Sequence, residues 1–250
     1  NFKAILFVTT YILSSTAMAT SVDLSSWLAN GNGTWNLASD NNSVTQTVNG
    51  YPTVFHNNQN SQGLALSGEI TVQTTSDDDF IGFVLGYNGG DFTNGAANYL
   101  LIDWKQNNQD LVGGTGLAGL AISQVNGEIS TTSHTSGAWW HDSSDGVTEL
   151  QRATTLGSTG WADNTTYSFD LIFTASLVEV FVNGDKELSV AGSFSDGSFG
   201  FYNYSQGNVL YAGIEETIVP AVPIPAAAFM FAPALLGFLG FRRKAKNTVA

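Results

Sequence analysis

Short stretches in which apolar and polar residues alternate recur along the chain, separated by clusters of Gly, Asn, Asp and Ser. Residues 69–74 and 168–173 alternate with a period of two, which is typical of half-buried strands. Residues 80–87 and 99–104 are almost continuously apolar and indicate strands that are buried more fully. No amphipathic run with helical spacing extends beyond about two turns. The pattern predicts an all-β protein.

A two-residue turn is predicted at Asn183-Gly184. Asn-Gly between two strand-like segments is a strong hairpin signal, because both turn positions need positive φ angles. Residues 178–182 and 187–190 should therefore pair as antiparallel strands. Together with the other short strands, this hairpin favours a jelly-roll sandwich of antiparallel sheets.

Residues 20–218 have the length of one β-sandwich domain and contain no repeat of fixed period. The longest stretch without strand signals runs from residue 131 to residue 160, and connections of that length are often functional. Its tryptophan pair has two alternative roles, either capping one end of the core or stacking on sugar rings. The candidate ligand-binding residues of this stretch are Trp139, Trp140, Asp142 and Asp145.

Residues 1–19 are predicted to be a secretory signal peptide. Lys3 precedes ten mostly apolar residues, and Ala17-Met18-Ala19 has the small-x-small pattern that signal peptidase cleaves. We expect cleavage after Ala19. The alternative is an uncleaved anchor, although ten apolar residues are too few to span a bilayer.

Residues 219–250 form a second targeting segment. A proline-rich stretch leads into the uncharged residues 226–241, and a basic cluster follows at 242–246. An apolar helix that ends in basic residues places those residues in the cytoplasm and the preceding domain outside. The segment resembles the PEP-CTERM sorting signal of Gram-negative bacteria, with Ile224 where the name-giving motif has Glu. That resemblance implies transient membrane anchoring and an exosortase-type processing enzyme as partner; the alternative is a permanent single-span anchor.

Composition and charge exclude several classes of protein. With 43% hydrophobic and 12% charged residues the chain is not disordered, and without cysteine it has no zinc finger, iron–sulfur cluster or disulfide. All 21 acidic residues lie between Asp23 and Glu216, with only three basic residues, so this region carries a net charge of −18. Such a field repels nucleic acid and attracts divalent cations.

Sequence motifs for catalysis are lacking. The chain contains no Glu-x-Asp-x-x-Glu arrangement of a sandwich glycosidase, no His-Glu-x-x-His and no Gly-x-Ser-x-Gly. His56, His134 and His141 are scattered through predicted loops. We therefore expect binding and not catalysis.

The acidic run Asp77-Asp78-Asp79 directly precedes a predicted buried strand. Adjacent carboxylates repel one another, and the nearest basic residue in the sequence is the distant Lys105. Oxygen ligands of this kind favour Ca²⁺ or Mg²⁺, so a bound divalent cation is one explanation. A solvated acidic loop is the other.

Five sequence blocks resemble the C-terminal, lectin-like domain of thrombospondins and its bacterial relatives. The blocks are residues 77–87, 99–106, 140–141, 160–163 with Tyr167, and 197–206. The resemblance implies a concanavalin-like jelly roll, calcium bound by acidic loops, and adhesion or extracellular-matrix contacts. It makes Asp77, Asp78 and Asp79 the best calcium ligands and adds Asp103 as a further candidate. On a strand Asp103 is equally well explained as a solvent-facing carboxylate, and Trp104, Trp161 and Tyr167 are expected in the core or at corners.

The sequence thus predicts a secreted or surface-anchored, calcium-binding adhesion or matrix protein of a Gram-negative bacterium. Its expected partner is an extracellular polysaccharide or matrix protein. The alternative is a lectin or glycoside-active enzyme on the same fold.

Overall fold

The computed structural model describes residues 18–112, 114–134 and 137–219. The cleavage pattern at 17–19 lies at the start of this range. The rest of the expected signal peptide and the expected sorting segment after residue 219 lie outside the described residues. Within the described ranges no helix is long and apolar enough to cross a membrane.

Two antiparallel sheets form the domain. In spatial order the first sheet contains β15 (Asp185–Ala191), β14 (Leu177–Val182), β13 (Thr166–Phe173), β6 (Leu64–Val72), β17 (Val209–Ile218), β4 (Val44–Gln46) and β3 (Trp35–Leu37), and β1 (Thr20–Ser21) pairs with β17. The second sheet contains β12 (Val147–Arg152), β11 (Gly119–Asn126), β8 (Asn98–Lys105), β7 (Phe80–Tyr87), β16 (Ser198–Tyr204), β5 (Thr53–His56) and β2 (Leu28–Gly31).

Short elements complete the fold. β9 (Gln109–Leu111) and β10 (Gly114–Gly116) form a separate hairpin, and α1 (Gly137–Trp140) is a single helical turn. Among the residues that the structure describes, 3₁₀ turns occupy Leu24–Ser26, Asp91–Thr93 and Ser143–Asp145. The all-β, antiparallel prediction is therefore confirmed.

The predicted hairpin is present between β14 and β15. Asn183 and Gly184 have φ angles of 52° and 84°, so both turn residues are left-handed as a two-residue hairpin requires. The strands predicted at 80–87 and 99–104 are β7 and β8. Every residue of β7 is buried, because this strand lies between two hydrophobic cores.

Those cores lie on opposite faces of the second sheet. The first core fills the space between the two sheets, and the second core covers the outer face of the second sheet. Successive residues of a strand point to opposite faces, so Leu100, Ile102 and Trp104 of β8 enter the first core. Tyr99 and Leu101 enter the second core. This double burial explains why β8 is almost continuously apolar.

The prediction that residues 131–160 hold no strand is wrong. β12 lies in this stretch and forms one edge of the second sheet. Its Val147 is buried, whereas Thr148 and Leu150 are exposed, and a bulge interrupts its pairing with β11. A polar, bulged edge strand carries little of the apolar pattern by which strands are recognised.

Candidate functional site

The acidic cluster, which we define as Asp77, Asp78 and Asp79, lies in the loop that leads from β6 into β7. Each residue offers one carboxylate oxygen, and these atoms all lie within 4.8 Å of one another. Asp77 and Asp78 are partly exposed, whereas Asp79 is buried. The structure therefore brings three of the four predicted metal ligands together.

Lys105 lies beside this cluster although it is far away in sequence. β7 and β8 pair in a register that sets Lys105 opposite Phe80, next to Asp79. Lys105 forms an ion pair with Asp79, and its Nζ is 3.6 Å from Asp78 Oδ1. It also donates to the Gln109 Oε1 atom at 2.9 Å. Lys105, the nearest basic residue in the sequence, thus offsets part of the charge of the acidic run.

The environment of Lys105 is closed to solvent. Its side chain is 0% exposed, and Nζ lies 5.1 Å and 5.0 Å from the ring centroids of Phe80 and Trp139, within the range of cation–π attraction. Burial raises the pKa of Asp79 to about 6, and the neighbouring Lys105 charge offsets this effect only in part. The three carboxylates of the acidic cluster and the ammonium group of Lys105 have a combined charge of −2, which one divalent cation balances.

Residues from distant segments hold the acidic cluster in place. The Asp79 backbone N–H donates to Gln206 Oε1 at 3.1 Å, and Trp161 Nε1 donates to the Asp79 carbonyl at 3.0 Å. The Asn49 amide donates to Asp77, and the Gln106 backbone N–H donates to the Asp78 carbonyl at 3.1 Å. Four of the five resembling blocks therefore meet at this end of the sandwich.

Asp103 is not part of this cluster. It lies on the outer face of β8, is 1% exposed, and its Oδ2 is 3.0 Å from His141 Nε2. The interpretation of Asp103 as a solvent-facing carboxylate is wrong. The other ring nitrogen of His141, Nδ1, is 2.8 Å from Glu149 Oε2, and Arg152 forms an ion pair with Glu149 at 2.9 Å.

This charged network ties the segment around α1 to the second sheet. Burial alone lowers the pKa of His141, but the charges and hydrogen bonds of Asp103 and Glu149 outweigh it and raise the pKa to about 9. His141 is therefore a cation between two carboxylates at neutral pH, with both nitrogens occupied. Neither nitrogen is left to act as a general base.

We expect the contribution of His141 to the free energy of unfolding to fall as pH rises. Its pKa in the folded protein is about 9, above the ordinary value of about 6.5, so the stabilisation is complete below pH 6.5 and is lost as pH rises through 9. With the side chain 8% exposed, the contribution is on the order of 3 kcal/mol. Urea unfolding of wild type and His141→Gln measures it. The stability gap between them should narrow over this range, and a constant gap would contradict the assignment.

The tryptophan pair has a structural role in large part. Trp139 is 2% exposed and belongs to the second core, where its ring meets Phe80 and Tyr204 edge-on. Trp140 is partly buried, and its Nε1 donates to the Leu111 carbonyl at 3.2 Å. The alternative in which the tryptophan pair stacks on sugar rings is therefore wrong for Trp139. The β9–β10 hairpin and the second sheet enclose its ring.

The two acids after the pair differ from one another. Asp142 caps the 3₁₀ turn at Ser143–Asp145, since its Oδ1 accepts from the Ser144 N–H at 2.8 Å, and hydrogen bonds from Ser144 lower its pKa. Asp145 is exposed at the protein surface. The structure does not bring these two acids together with the acidic cluster.

His56 is the histidine that the sequence places wrongly. It ends β5 and is 0% exposed, with Nδ1 3.2 Å from Ser198 Oγ. Burial lowers its pKa, so the ring is neutral at neutral pH. A side chain that solvent cannot reach is a packing element.

The network around Lys105 and His141 was not recognised from the sequence. One signal was present, because β8 contains two opposite charges, Asp103 and Lys105, on the same face of an otherwise apolar strand. Charged groups are buried only when they are paired, so each of these residues requires a partner. Spacing alone does not identify those partners.

The model of the thrombospondin C-terminal region family matches residues 30–218. The chain belongs to this family. Thrombospondin-2 from Gallus gallus is 26% identical over 197 residues, 72% of this chain and 16% of the relative. Thrombospondin-4 from Xenopus laevis is 23% identical over 210 residues, 78% of this chain and 21% of the relative. The chain thus spans about a fifth or less of the length of these thrombospondins.

Solved structures show the same architecture. The carbohydrate-binding module CBM66 from Bacillus subtilis superposes with a TM-score of 0.54 at 10% identity, covering 77% of this chain and 95% of the module. The exoplasmic/lumenal domain of VIP36, bound to Ca²⁺ and Man3GlcNAc, superposes with a TM-score of 0.51 at 13% identity, covering 84% of this chain and 92% of that domain. At these identities the likeness establishes the sandwich fold of this thrombospondin C-terminal region.

Proposed function

We propose that this chain is an extracellular calcium-binding domain that acts by adhesion to polysaccharide or matrix proteins and not by catalysis. The observation that carries the proposal is the acidic cluster with its residual charge of −2 in a domain of the thrombospondin C-terminal region family. Asp77 and Asp78 are the accessible ligands. The Asp79 carboxylate forms an ion pair with Lys105 and thereby holds the loop in place.

Calcium would act here on stability and on the shape of the surface. A cation that binds only the folded state stabilises it by mass action. It would also fix the 77–79 loop against the segments at Asn49 and Gln206, which meet it through hydrogen bonds. The result is a rigid end of the sandwich suited to contacts with a large partner.

Delivery to the cell surface is the second element of the proposal. The signal peptide pattern at 1–19 and the sorting pattern at 219–250 support secretion across the inner membrane of a Gram-negative bacterium, anchoring by the apolar segment, and processing by an exosortase-type enzyme. The destination would be the envelope or an extracellular matrix such as that of a biofilm. Expression with the last 32 residues removed, followed by fractionation, tests this element.

Calcium addition is expected to raise the melting temperature of the chelator-treated protein by about 5 to 10 °C at saturating concentration. Mg²⁺ should act more weakly, because it demands near-ideal octahedral geometry. Thermal unfolding monitored by circular dichroism provides the measurement. The variant Asp77→Asn/Asp78→Asn should lose the response, since both accessible ligands lose their charge.

The matched control is Glu69→Gln/Asp185→Asn, which removes two exposed charges elsewhere. It should keep the full response to Ca²⁺. If wild type ignores both ions, the acidic cluster is a solvated loop and the calcium proposal fails. Turnover of a polysaccharide by the wild type would instead establish the alternative of a glycoside-active enzyme.

A further inference from the structure

Lys105 and Asp79 bring a primary amine and a carboxyl group into contact inside the protein. Lys105 ends β8 and Asp79 directly precedes β7, so the pair lies between two neighbouring strands. The two side chains are 0% and 3% exposed, and Nζ contacts Asp79 Oδ1. Groups that a fold holds in contact react as if their concentrations were far higher than those of separate molecules.

The surroundings of this pair keep water away and disfavour charge. The rings of Phe80 and Trp139 flank Nζ. Burial destabilises the charged forms of both an amine and a carboxyl group. Transfer of one proton from the ammonium group of Lys105 to the carboxylate of Asp79 removes both charges at once. The products are a neutral amine and a neutral acid, which are the forms that condense to an amide.

The other neighbours of Nζ orient the amine for attack. Nζ donates to the Asp78 carbonyl at 3.2 Å and to Gln109 Oε1 at 2.9 Å. A neutral amine has two N–H bonds and one lone pair, so these two acceptors engage both of its hydrogens. The lone pair is then directed at the remaining neighbour, which is the carboxyl group of Asp79.

The Asp78 carboxylate provides the proton relay that amide formation needs. Its Oδ1 is 3.6 Å from Nζ, and its side chain is 32% exposed. A carboxylate in this position accepts a proton from the attacking nitrogen and returns it to the leaving oxygen, and such distances often shorten only as the reaction proceeds. The partial exposure of Asp78 also gives the released water a path to solvent.

We propose that Lys105 and Asp79 form an intramolecular isopeptide bond, which joins β8 to the loop that leads into β7. The ion pair is the reactant. The Nζ lone pair attacks Asp79 Cγ, the Nζ–Cγ bond forms, and one Cγ–Oδ bond breaks. Asp78 carries the proton from Nζ to the leaving oxygen, which departs as water. No atom is oxidised or reduced, and no co-reactant is needed.

The bond goes beyond the proposed function and leaves the calcium site intact. One ammonium group and one carboxylate disappear together, so the combined charge stays at −2 and is carried by Asp77 and Asp78. The chain has no cysteine and therefore no disulfide. A covalent link between residues 26 positions apart constrains the unfolded chain as a disulfide would.

Mass spectrometry of the denatured full chain tests the bond. Once peptide mapping has assigned the chain ends, wild type should be lighter than its sequence by one water molecule. Trypsin should fail to cleave after Lys105 but should cleave after Lys186, which is paired with Glu179 at an exposed position. Chymotrypsin cleaves after aromatic residues that lie between the two linked positions, so it should release two peptides joined through Lys105 and Asp79.

Three variants separate the roles of the groups. Lys105→Arg keeps the positive charge and should have the mass of its sequence, because a guanidinium group is not a nucleophile here. Asp78→Asn keeps both reacting groups but lacks the relay, which contributes a factor on the order of 10² or more to the rate, so the linked fraction of freshly purified protein should fall at least about tenfold. The matched control is Asp77→Asn, which removes the adjacent carboxylate that accepts from Asn49 and should stay linked.

Each outcome decides the proposal. A wild-type mass equal to that of the sequence, with Lys105 open to trypsin, overturns the bond and leaves the ion pair as the final state. Loss of water without joined peptides also overturns it, because a succinimide elsewhere then explains the mass. Full linkage in Asp78→Asn overturns the relay. Asp77 and Asp78 are both partly exposed, and melting temperatures confirm that their variants fold. The calcium response is measured separately, so failure of the bond leaves the proposed function standing.

Discussion

Replacing Lys105 with methionine is expected to lower the free energy of unfolding by about 3 to 5 kcal/mol. Methionine fills a similar volume, so the loss comes from the charge. Lys105 is completely buried, and without it the carboxylate of Asp79 stays in the interior unpaired beside two further carboxylates. The penalty should grow as pH rises above the pKa of Asp79, because protonation of that carboxyl is what relieves it.

Urea unfolding near neutral pH and near pH 5 measures the effect of Lys105→Met. The matched control is Lys186→Met, which breaks an ion pair with Glu179 at an exposed position and should cost less than about 1 kcal/mol. The double variant Lys105→Met/Asp79→Asn should recover part of the loss, since the buried carboxylate is gone. Equal losses for the two lysine variants would contradict the buried-pair account.

Replacing Trp139 with alanine is expected to lower the free energy of unfolding by about 3 to 5 kcal/mol, as truncation of a buried aromatic side chain generally does. The indole fills the space between the second sheet and the β9–β10 hairpin, against Phe80, Tyr204 and Lys105. Its removal leaves a cavity and also opens the closed surroundings of the Lys105 ammonium group. Chemical unfolding of the variant measures the loss.

Trp140→Ala is the natural comparison, because it removes the same side chain from the next position. Trp140 is only partly buried, so its truncation should cost less than half as much free energy. If Trp139→Ala left stability unchanged but abolished saccharide binding, Trp139 would be a ligand-contacting residue and the packing account would be wrong. A smaller loss in Trp139→Phe would show that packing volume is the controlling quantity.

The strands of this chain can be predicted from the sequence where burial leaves a simple pattern of apolar residues. β7 and β8 are predictable because both of their faces are buried, and the β14–β15 hairpin is predictable because Asn-Gly satisfies a demanding backbone geometry. β12 is not predictable from the sequence, because an edge strand needs only one buried face and because its bulge interrupts the alternation of apolar and polar residues. The family resemblance supplies the jelly-roll arrangement, which local patterns do not distinguish from other sandwiches.

The acidic cluster can be predicted from the sequence for a different reason. Three adjacent carboxylates are visible in the sequence without any knowledge of the fold, whereas the partner of Asp79 lies 26 positions away. Lys105 reaches it only through the register of β7 against β8, and a shift of one residue would point its side chain into the first core. The pairing of Asp103 with His141 requires in addition that residues 127–134 and 137–146 lie over the outer face of the second sheet, which spacing cannot predict.

The tyrosines of the two cores lead to a consequence for how the protein behaves in alkali. Burial raises the pKa of Tyr87, Tyr99, Tyr202 and Tyr211 above the ordinary value for a phenol. Each of these four phenols therefore ionises at a higher pH than an exposed tyrosine does, unless the structure that encloses it opens first. The ultraviolet absorbance of phenolate therefore separates exposed from enclosed tyrosines, and in strong alkali the slow part of its rise records the rate at which the folded molecule comes apart.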